Sequence, residues 1–277
     1  MKLTNKLGLP EAIVRAVKSD PYSAGKADYS VTTLLKPPRM VALERIHKDE
    51  IEQDVADRLW SLLGQLMHGV LERAALEGEI EQRHSATILG KVVSGAIDVY
   101  LDGIIQDYKL ITAWKVVKGV PKEYEEQLNC YAYLQRIKGK PVSGLQLVCV
   151  LRDWSKLEAA RNLEYPQSQV VLLEVNLWAE EAQLAFLQER VRLHEEAKEN
   201  LPLCSTEERW ATNDMYAVTK PGQKRALRLV SSLEEAQALA EPLKADIRFR
   251  PGESKRCGYY CPVAKFCDQW KKESGQE

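Results

Sequence analysis

The sequence lacks the features that would place it in or across a membrane. No apolar run approaches the ~20 residues needed to cross a bilayer. The opening stretch, MKLTNKLGLPEAIVRAVKSD, has no continuous apolar core followed by a small-residue cleavage site, so no secretory signal is read there. There is no excess of one charge either. The 39 Lys and Arg are balanced by 40 Asp and Glu, so bulk charge names no partner, and any polyanion surface must come from where the basic residues face. Internal repeats and low-complexity segments are also missing. These absences lead to the expectation of a soluble cytoplasmic protein without membrane association. The 277 residues, 45% hydrophobic and 29% charged, suffice for one large domain or a domain with an appendage.

Patterning divides the chain into three stretches. Residues 1–47 are irregular, with Pro10, Pro21, Pro37 and Pro38 interrupting short helical runs. From 48 to 200 the elements read α–β–β–α–β–β–α. The first helix is expected over 48–77, where Ile51, Val55, Leu59, Leu62, Leu63, Leu66 and Val70 recur at steps of three and four. Strands follow at 91–101 and 104–111 around the turn dipeptide Asp102-Gly103. A helix over 122–138, strands at 145–152 and 169–177, and a long charged helix over 178–200 complete a mixed α/β (α+β) core, with a central sheet flanked by helices. Residues 201–277 form a smaller C-terminal module with a hairpin (215–220 and 225–230), a short helix (232–241) and a cysteine-rich end.

The chemistry concentrates on the Asp102-Gly103 hairpin. Strand alternation puts Asp107 and Lys109 on one face, and the turn brings Asp98 across from them. Converging carboxylates repel unless a cation sits between them, and hard oxygen ligands suit Mg²⁺ or Mn²⁺. A lysine beside such a pair can orient an attacking water and stabilise charge developing on a phosphate. The plainer alternative is a set of solvated charges on an amphipathic hairpin, although Asp98 lies among apolar neighbours in GAIDVYL. His68 ends the apolar stripe of the first helix. It could serve as an imidazole ligand or as a structural histidine, and Glu72, four residues on, shares its face and could reach a second ion. On the 122–138 helix, Gln127 and Tyr131 are likewise four apart and point the same way.

These motifs, Gly64-x3-His68, Asp98, Asp107-Tyr108-Lys109 and Gln127-x3-Tyr131, occur in this order in RecB-like nucleases. The chain therefore resembles the PD-(D/E)xK superfamily, which includes CRISPR-associated and phage-encoded exonucleases, and a phage or bacterial origin would fit. The motifs span 64–131, and the expected element order carries the likeness to about residue 200. The resemblance implies a restriction-endonuclease-like fold and a divalent-metal-dependent deoxyribonuclease acting on DNA ends or single strands in recombination, repair or phage replication. It also leaves room for a structure-selective endonuclease, or a DNA-binding subunit that has lost catalysis. His68, Asp98, Asp107 and the Tyr108 carbonyl would hold one or two ions, Lys109 would orient or activate the nucleophile, and Gln127 and Tyr131 would position the substrate. Asp107 stands where many members have Glu, a change of reach more than of chemistry. DNA, and recombination or replication proteins, are the partners implied. If the protein is phage-encoded, its compartment would be the interior of the bacterial host.

Of six cysteines, Cys257, Cys261 and Cys267 cluster late in the chain. Clustered thiols without an export signal point to a metal before disulfides. Cys204, at the start of the C-terminal module, is the best fourth ligand, while Cys130 and Cys149 read as buried core residues. Four thiolates could hold zinc or an iron–sulfur cluster, and the tight CxxC spacing typical of zinc is absent. The resemblance favours a 4Fe-4S cluster, with structural Zn²⁺ as the alternative. The family's distant cysteine usually precedes the nuclease motifs, but the corresponding stretch here, LLKPPRMVAL, has none, so Cys204 would take its place.

Lys115, Lys118 and Lys122 follow the hairpin without intervening acids, and Arg136 stands at the next helix end. A second set, Lys220, Lys224, Arg225 and Arg228, lies on the late hairpin. Beside a metal site such runs would form a phosphate track without base specificity. Trp114 or Tyr133 could stack on an unpaired base.

Overall fold

The computed structural model describes residues 2–19, 27–73 and 79–275, which fall into two compact units. The first comprises residues 2–41 and 49–201 within the described range, and the second comprises 42–48 and 202–275.

In chain order the first unit contains β1 (Lys2–Thr4), α1 (Glu11–Lys18), β2 (Tyr29–Ser30) and α2 (Val31–Leu34). Helix α3 (Pro38–Ile46) holds the break between the units. Then come β3 (Glu52–Asp54), a 3-10 turn at Val55–Arg58, α4 (Leu59–Glu72), β4 (Glu79–Ile88), β5 (Lys91–Leu101) and β6 (Ile104–Ile111). The unit ends with α5 (Ala113–Val116), α6 (Lys122–Ile137), β7 (Gly144–Leu151), α7 (Lys156–Arg161), β8 (Val170–Val175) and α8 (Glu180–Glu196). Six strands form one mixed sheet in the order β2-β5-β6-β7-β8, with β4 added against β5. Pairing is parallel for β2/β5 and β6/β7, and antiparallel for β4/β5, β5/β6 and β7/β8. The expected central mixed sheet with flanking helices is therefore present. Its core includes Ile97, Ile105, Leu145, Leu147 and Cys149 from the strands, together with Leu128, Cys130 and Leu134 of α6 and Leu187 of α8.

The turn that positions the site forms as its residues dictate. Asp102 (φ 50°) and Gly103 (φ 82°) both take left-handed backbone, as a two-residue hairpin turn requires. A Cβ on Gly103 would also approach Ser143 Oγ to 2.8 Å. On α6, Asn129 accepts the Trp178 backbone N–H (2.8 Å) and Gln183 Nε2 (3.1 Å), while Gln183 Oε1 accepts Arg136 Nη1 (2.9 Å). This buried polar chain fixes α6 against α8, and so fixes the helix face that meets the sheet.

Three expectations need correction. The helix expected over 48–77 starts later, because Asp54 is extended and its carboxylate accepts the Ala56 N–H (3.1 Å), and residues 52–54 pair with β1 instead. The far end of that expected helix, 74–77, lies outside the described residues. The first 47 residues do not form a segment of their own. Tyr29, Val31 and Leu34 belong to the main core, while residues 42–48 go with the second unit, where the His47 ring stacks on Phe266 at 3.9 Å. Strand β4 was not expected at all. EIEQRHSATI is polar because β4 pairs on one side only, and Leu89 and Gly90, at φ 47° and 75°, turn it into β5.

The second unit has β9 (Met215–Thr219), β10 (Ala226–Val230), α9 (Leu233–Ala240), β11 (Asp246–Arg250) and α10 (Asp268–Ser274). Its antiparallel sheet, ordered β10-β9-β11, packs Val218 and Val230 against Ala236 and Ala240. The hairpin and short helix are as expected, and β11 is an addition.

Candidate metal centre

The site arises where the main sheet comes apart. Strands β5 and β6 pair for only three residues beside their turn, Val99 to Leu101 against Ile104 to Gln106. Beyond that the ladder stops, and the Asp98 side chain takes the place of a strand partner: its Oδ2 accepts the Tyr108 backbone N–H at 2.8 Å. The opening between the strands is part of a cavity of about 480 Å³, whose lining includes His68, Glu81, Asp98, Asp107, Lys109 and Tyr131.

Each side chain is held by its element. Asp107 and Lys109, two apart on β6, share a face, with Lys109 Nζ 2.5 Å from Asp107 Oδ2. Asp107 is only 1% exposed, and its Oδ1 has no hydrogen-bond partner among the described residues. His68, on α4, places Nδ1 3.6 Å from Asp98 Oδ1 and 3.0 Å from Glu81 Oε1. Gln127 Nε2 donates to Tyr131 Oη at 2.7 Å, and both residues are buried on the face of α6 that lines the cavity. The Tyr131 ring packs where β5 carries Gly95. A Cβ at that position would come within 2.6 Å of the ring.

The electrostatics follow from crowding acids in a dry place. Burial, and then the neighbouring Asp107, push the Asp98 carboxyl up to about 7. The hydrogen bond that His68 makes to the Glu81 carboxylate raises the imidazole above its usual range despite partial burial. Burial alone would lower Lys109, but Asp107 and Asp98 outweigh it and hold the amine above its ordinary value, so it stays an ammonium. Asp98 and Asp107 thus share one permanent cation, and a second cation would relieve the repulsion that raises Asp98. The ligand atoms of His68, Glu81 and Asp98, one imidazole nitrogen and two carboxylates within 4.8 Å of one another, fit a divalent ion of the Mg²⁺ or Mn²⁺ kind, and Asp107, with its buried orphan oxygen, lines the same cavity outside that set.

The structure therefore brings His68, Asp98, Asp107, Lys109, Gln127 and Tyr131 to one cavity. Tyr108 adjoins it through its backbone N–H on Asp98. The Glu72 side chain lies outside the described residues. Sequence reasoning missed Glu81: in the structure a hairpin closing at Ile88 and Lys91 pairs Ile80 with Val99 and Gln82 with Ile97, so Glu81 faces Asp98.

The basic residues are more dispersed. Lys118 is exposed. Lys115 is held by Glu123 Oε1 and Tyr124 Oη, both at 3.1 Å, and Lys122 lies 3.9 Å from Glu126. Arg136 is a correction to the expected DNA track, because its guanidinium donates to Gln183 Oε1 and the Val142 carbonyl and ties α6 in place. Tyr133 is 7% exposed and cannot stack on a base, whereas Trp114 is half exposed. Lys220, Lys224, Arg225 and Arg228 are exposed on the second unit.

In that unit none of the four candidate cysteines is in a disulfide. Burial, followed by the proximity of Cys267, raises Cys257, and burial lifts Cys261 to about 11. The Gln269 side chain grips the Cys204 peptide from both sides, Cys204 N–H to Oε1 at 2.8 Å and Nε2 to the Cys204 carbonyl at 3.0 Å, two residues from Cys267. Cys130 and Cys149 are buried in the main core.

No family model and no curated protein matches the chain. Similar solved structures include SSO0001, with 18% identity and a TM-score of 0.46 over 68% of this chain and 88% of that one. An alkaline exonuclease from Laribacter hongkongensis is 16% identical with a TM-score of 0.29, over 48% of this chain and 66% of its own. A phage related exonuclease from Haemophilus somnus 129PT is 13% identical with a TM-score of 0.30, over 69% and 81% of the two chains.

Proposed function

We propose that the protein is a divalent-metal-dependent DNA exonuclease of the RecB-like type, with a 4Fe-4S cluster in its second unit. The observation that carries the nuclease reading is the shared cavity. Residues from α4, β5, β6 and α6, each picked out by a separate motif, line one opening in the sheet. A set of solvated surface charges would not leave Asp107 1% exposed with an orphan oxygen.

In this reading His68, Asp98, Asp107 and the Tyr108 carbonyl hold the ion. When bound, the ion supplies Lewis-acid polarisation of a phosphate and lowers the pKa of water. The chain's own residues do the rest. Lys109, kept protonated by Asp107, donates from Nζ to the attacking water or to a phosphate oxygen as negative charge builds there. The Gln127–Tyr131 pair forms a fixed wall against which the scissile strand is oriented. Lys115 and Lys118 extend positive charge from the end of β6 along the strand's phosphates, binding without base specificity and weakening as salt rises.

The cysteine spacing supports a cluster over zinc: Cys257, Cys261 and Cys267 are separated by three and five residues and lack the tight CxxC pairs typical of zinc sites. Brown protein with a visible absorbance band would support this, and colourless protein with stoichiometric zinc would refute it. The group would then clasp the cysteine-bearing segments of the second unit together.

Digestion of end-labelled linear and closed circular single-stranded DNA with Mg²⁺ or Mn²⁺ tests the activity. Linear DNA should be degraded from its ends and circles spared, and Lys109→Ala should abolish cleavage with the fold intact. Cut circles would make the protein an endonuclease. Undiminished cleavage by Lys109→Ala would overturn the site, and an inert wild type would leave a DNA-binding subunit, with recombination or replication proteins as its partners.

A further inference from the structure

The cavity contains a carboxylate that none of the four motifs supplies, and we propose that Glu81 is a direct ligand of the divalent ion, reaching it from β4. This deepens the nuclease reading and rests on it.

Three observations carry the proposal. First, ligand atoms of His68, Asp98 and Glu81 lie within 4.8 Å of one another. An octahedral ion with bonds of about 2.1 Å holds neighbouring ligands ~3.0 Å apart and opposite ones ~4.2 Å apart. The 3.0 Å between His68 Nδ1 and Glu81 Oε1, and the 3.6 Å between the same nitrogen and Asp98 Oδ1, are therefore close to what one ion needs. Second, Glu81 has φ 52°, a left-handed backbone that a glutamate adopts only under constraint, inside a strand whose flanking residues pair regularly with β5. A glutamate that only decorated a strand edge would have no reason to keep that conformation. The residue has turned out of the ladder at the one position facing Asp98. Third, Asp107 lines the same cavity and its buried Oδ1 has no hydrogen-bond partner among the described residues, so the cavity wall already carries an acceptor without a donor.

The competing role for Glu81 is to position the His68 ring through its hydrogen bond alone. Glutamine separates the two, because its amide can still bond the imidazole but is a poor ligand for a hard cation. Glycine removes the side chain and relaxes the backbone, since it takes positive φ without a Cβ clash.

The experiment is calorimetric titration of Mn²⁺ into the full-length wild type, Glu81→Gln, Glu81→Gly and Asp98→Asn without DNA, alongside thermal melts with chelator. Glu81→Gln and Glu81→Gly should each weaken Mn²⁺ binding at least tenfold, and Glu81→Gly should melt at or above the wild-type temperature. Glu81→Gln binding within twofold of wild type, while Asp98→Asn loses the ion, would overturn the ligand role and leave the metal site standing. If wild type takes up no Mn²⁺, or if Asp98→Asn binds as wild type does, both this proposal and the site reading fall.

Discussion

The Asp98 carboxylate accepts the backbone N–H of Tyr108 at 2.8 Å, one residue past the last paired position of β5 and two past that of β6. A side chain thus completes a hydrogen bond that a strand would otherwise make, and it does so where the strands must part to admit a ligand. The same carboxylate is buried near Asp107, which makes it costly to ionise.

That cost gives a pH dependence with a definite sign. Asp98 has a folded pKa of about 7 against an ordinary 3.8, so its contribution is fully present below about pH 3.8 and is lost as pH rises through 7. With chelator present, wild type should lose stability between these limits relative to Asp98→Asn, which keeps the Tyr108 hydrogen bond without the charge. At ~1.4 kcal/mol per pKa unit, the difference should be on the order of a few kcal/mol. Urea melts at pH 4.5 and pH 8 would measure it, and parallel pH profiles for the two proteins would count against the buried charge. Mg²⁺ should restore wild type at pH 8 and leave the variant unmoved.

Much of this was legible in the sequence. Asp102-Gly103 specifies a two-residue turn, and from that turn strand periodicity alone puts Asp98, Asp107 and Lys109 together. Gln127 and Tyr131 could be paired by helical spacing, and their 2.7 Å hydrogen bond agrees with it. Glu81 was harder to read because β4 pairs on one side only and carries polar residues on both faces, so alternation gives no strand signal. Its turn, Leu89-Gly90, places a leucine at φ 47°, which no turn preference anticipates. Arg136 misled for a different reason. A basic residue at a helix end reads as solvated, and only the fold reveals the buried Gln183 that it serves.

Gly95 should be intolerant of even one methyl. An alanine Cβ there would lie 2.6 Å from Tyr131 Cε1, 2.8 Å from its Cδ1 and 3.1 Å from Leu134 Cδ1. The ring is 4% exposed and held by Gln127, so it cannot swing aside without leaving the cavity wall. Gly95→Ala is expected to destabilise the fold by about 1–3 kcal/mol. It should also raise KM for DNA more than it lowers kcat. Because the clash is with one ring, combining it with Tyr131→Ala should be strongly non-additive in a double-mutant cycle. Additive effects would show that the two residues do not meet.

Outside the lining of the cavity, Glu195 should set the acid limit of the first unit. Its Oε1 accepts Tyr29 Oη and Lys198 Nζ, each at 2.5 Å, and Oε2 lies 3.1 Å from Lys91 Nζ, so one carboxylate ties α8 to β2 and β5. Burial by itself would raise this glutamate, but the three donors override it and bring it from 4.5 down to about 2. A depressed carboxylate contributes its stability above the unfolded pKa and loses it as pH falls through the folded one, so the loss should run from about pH 4.5 to pH 2. The side chain is 29% exposed, so solvent screens part of the interaction and the contribution at pH 7 should be about 1–2 kcal/mol. Glu195→Gln keeps the shape and one acceptor but loses the charge. It should be less stable than wild type by that amount at pH 7, and the gap should close as pH falls to about 2. Denaturant melts at both pH values would measure the gap. A gap that stays constant with pH would assign the contribution to packing and hydrogen bonding, with no role for the carboxylate charge.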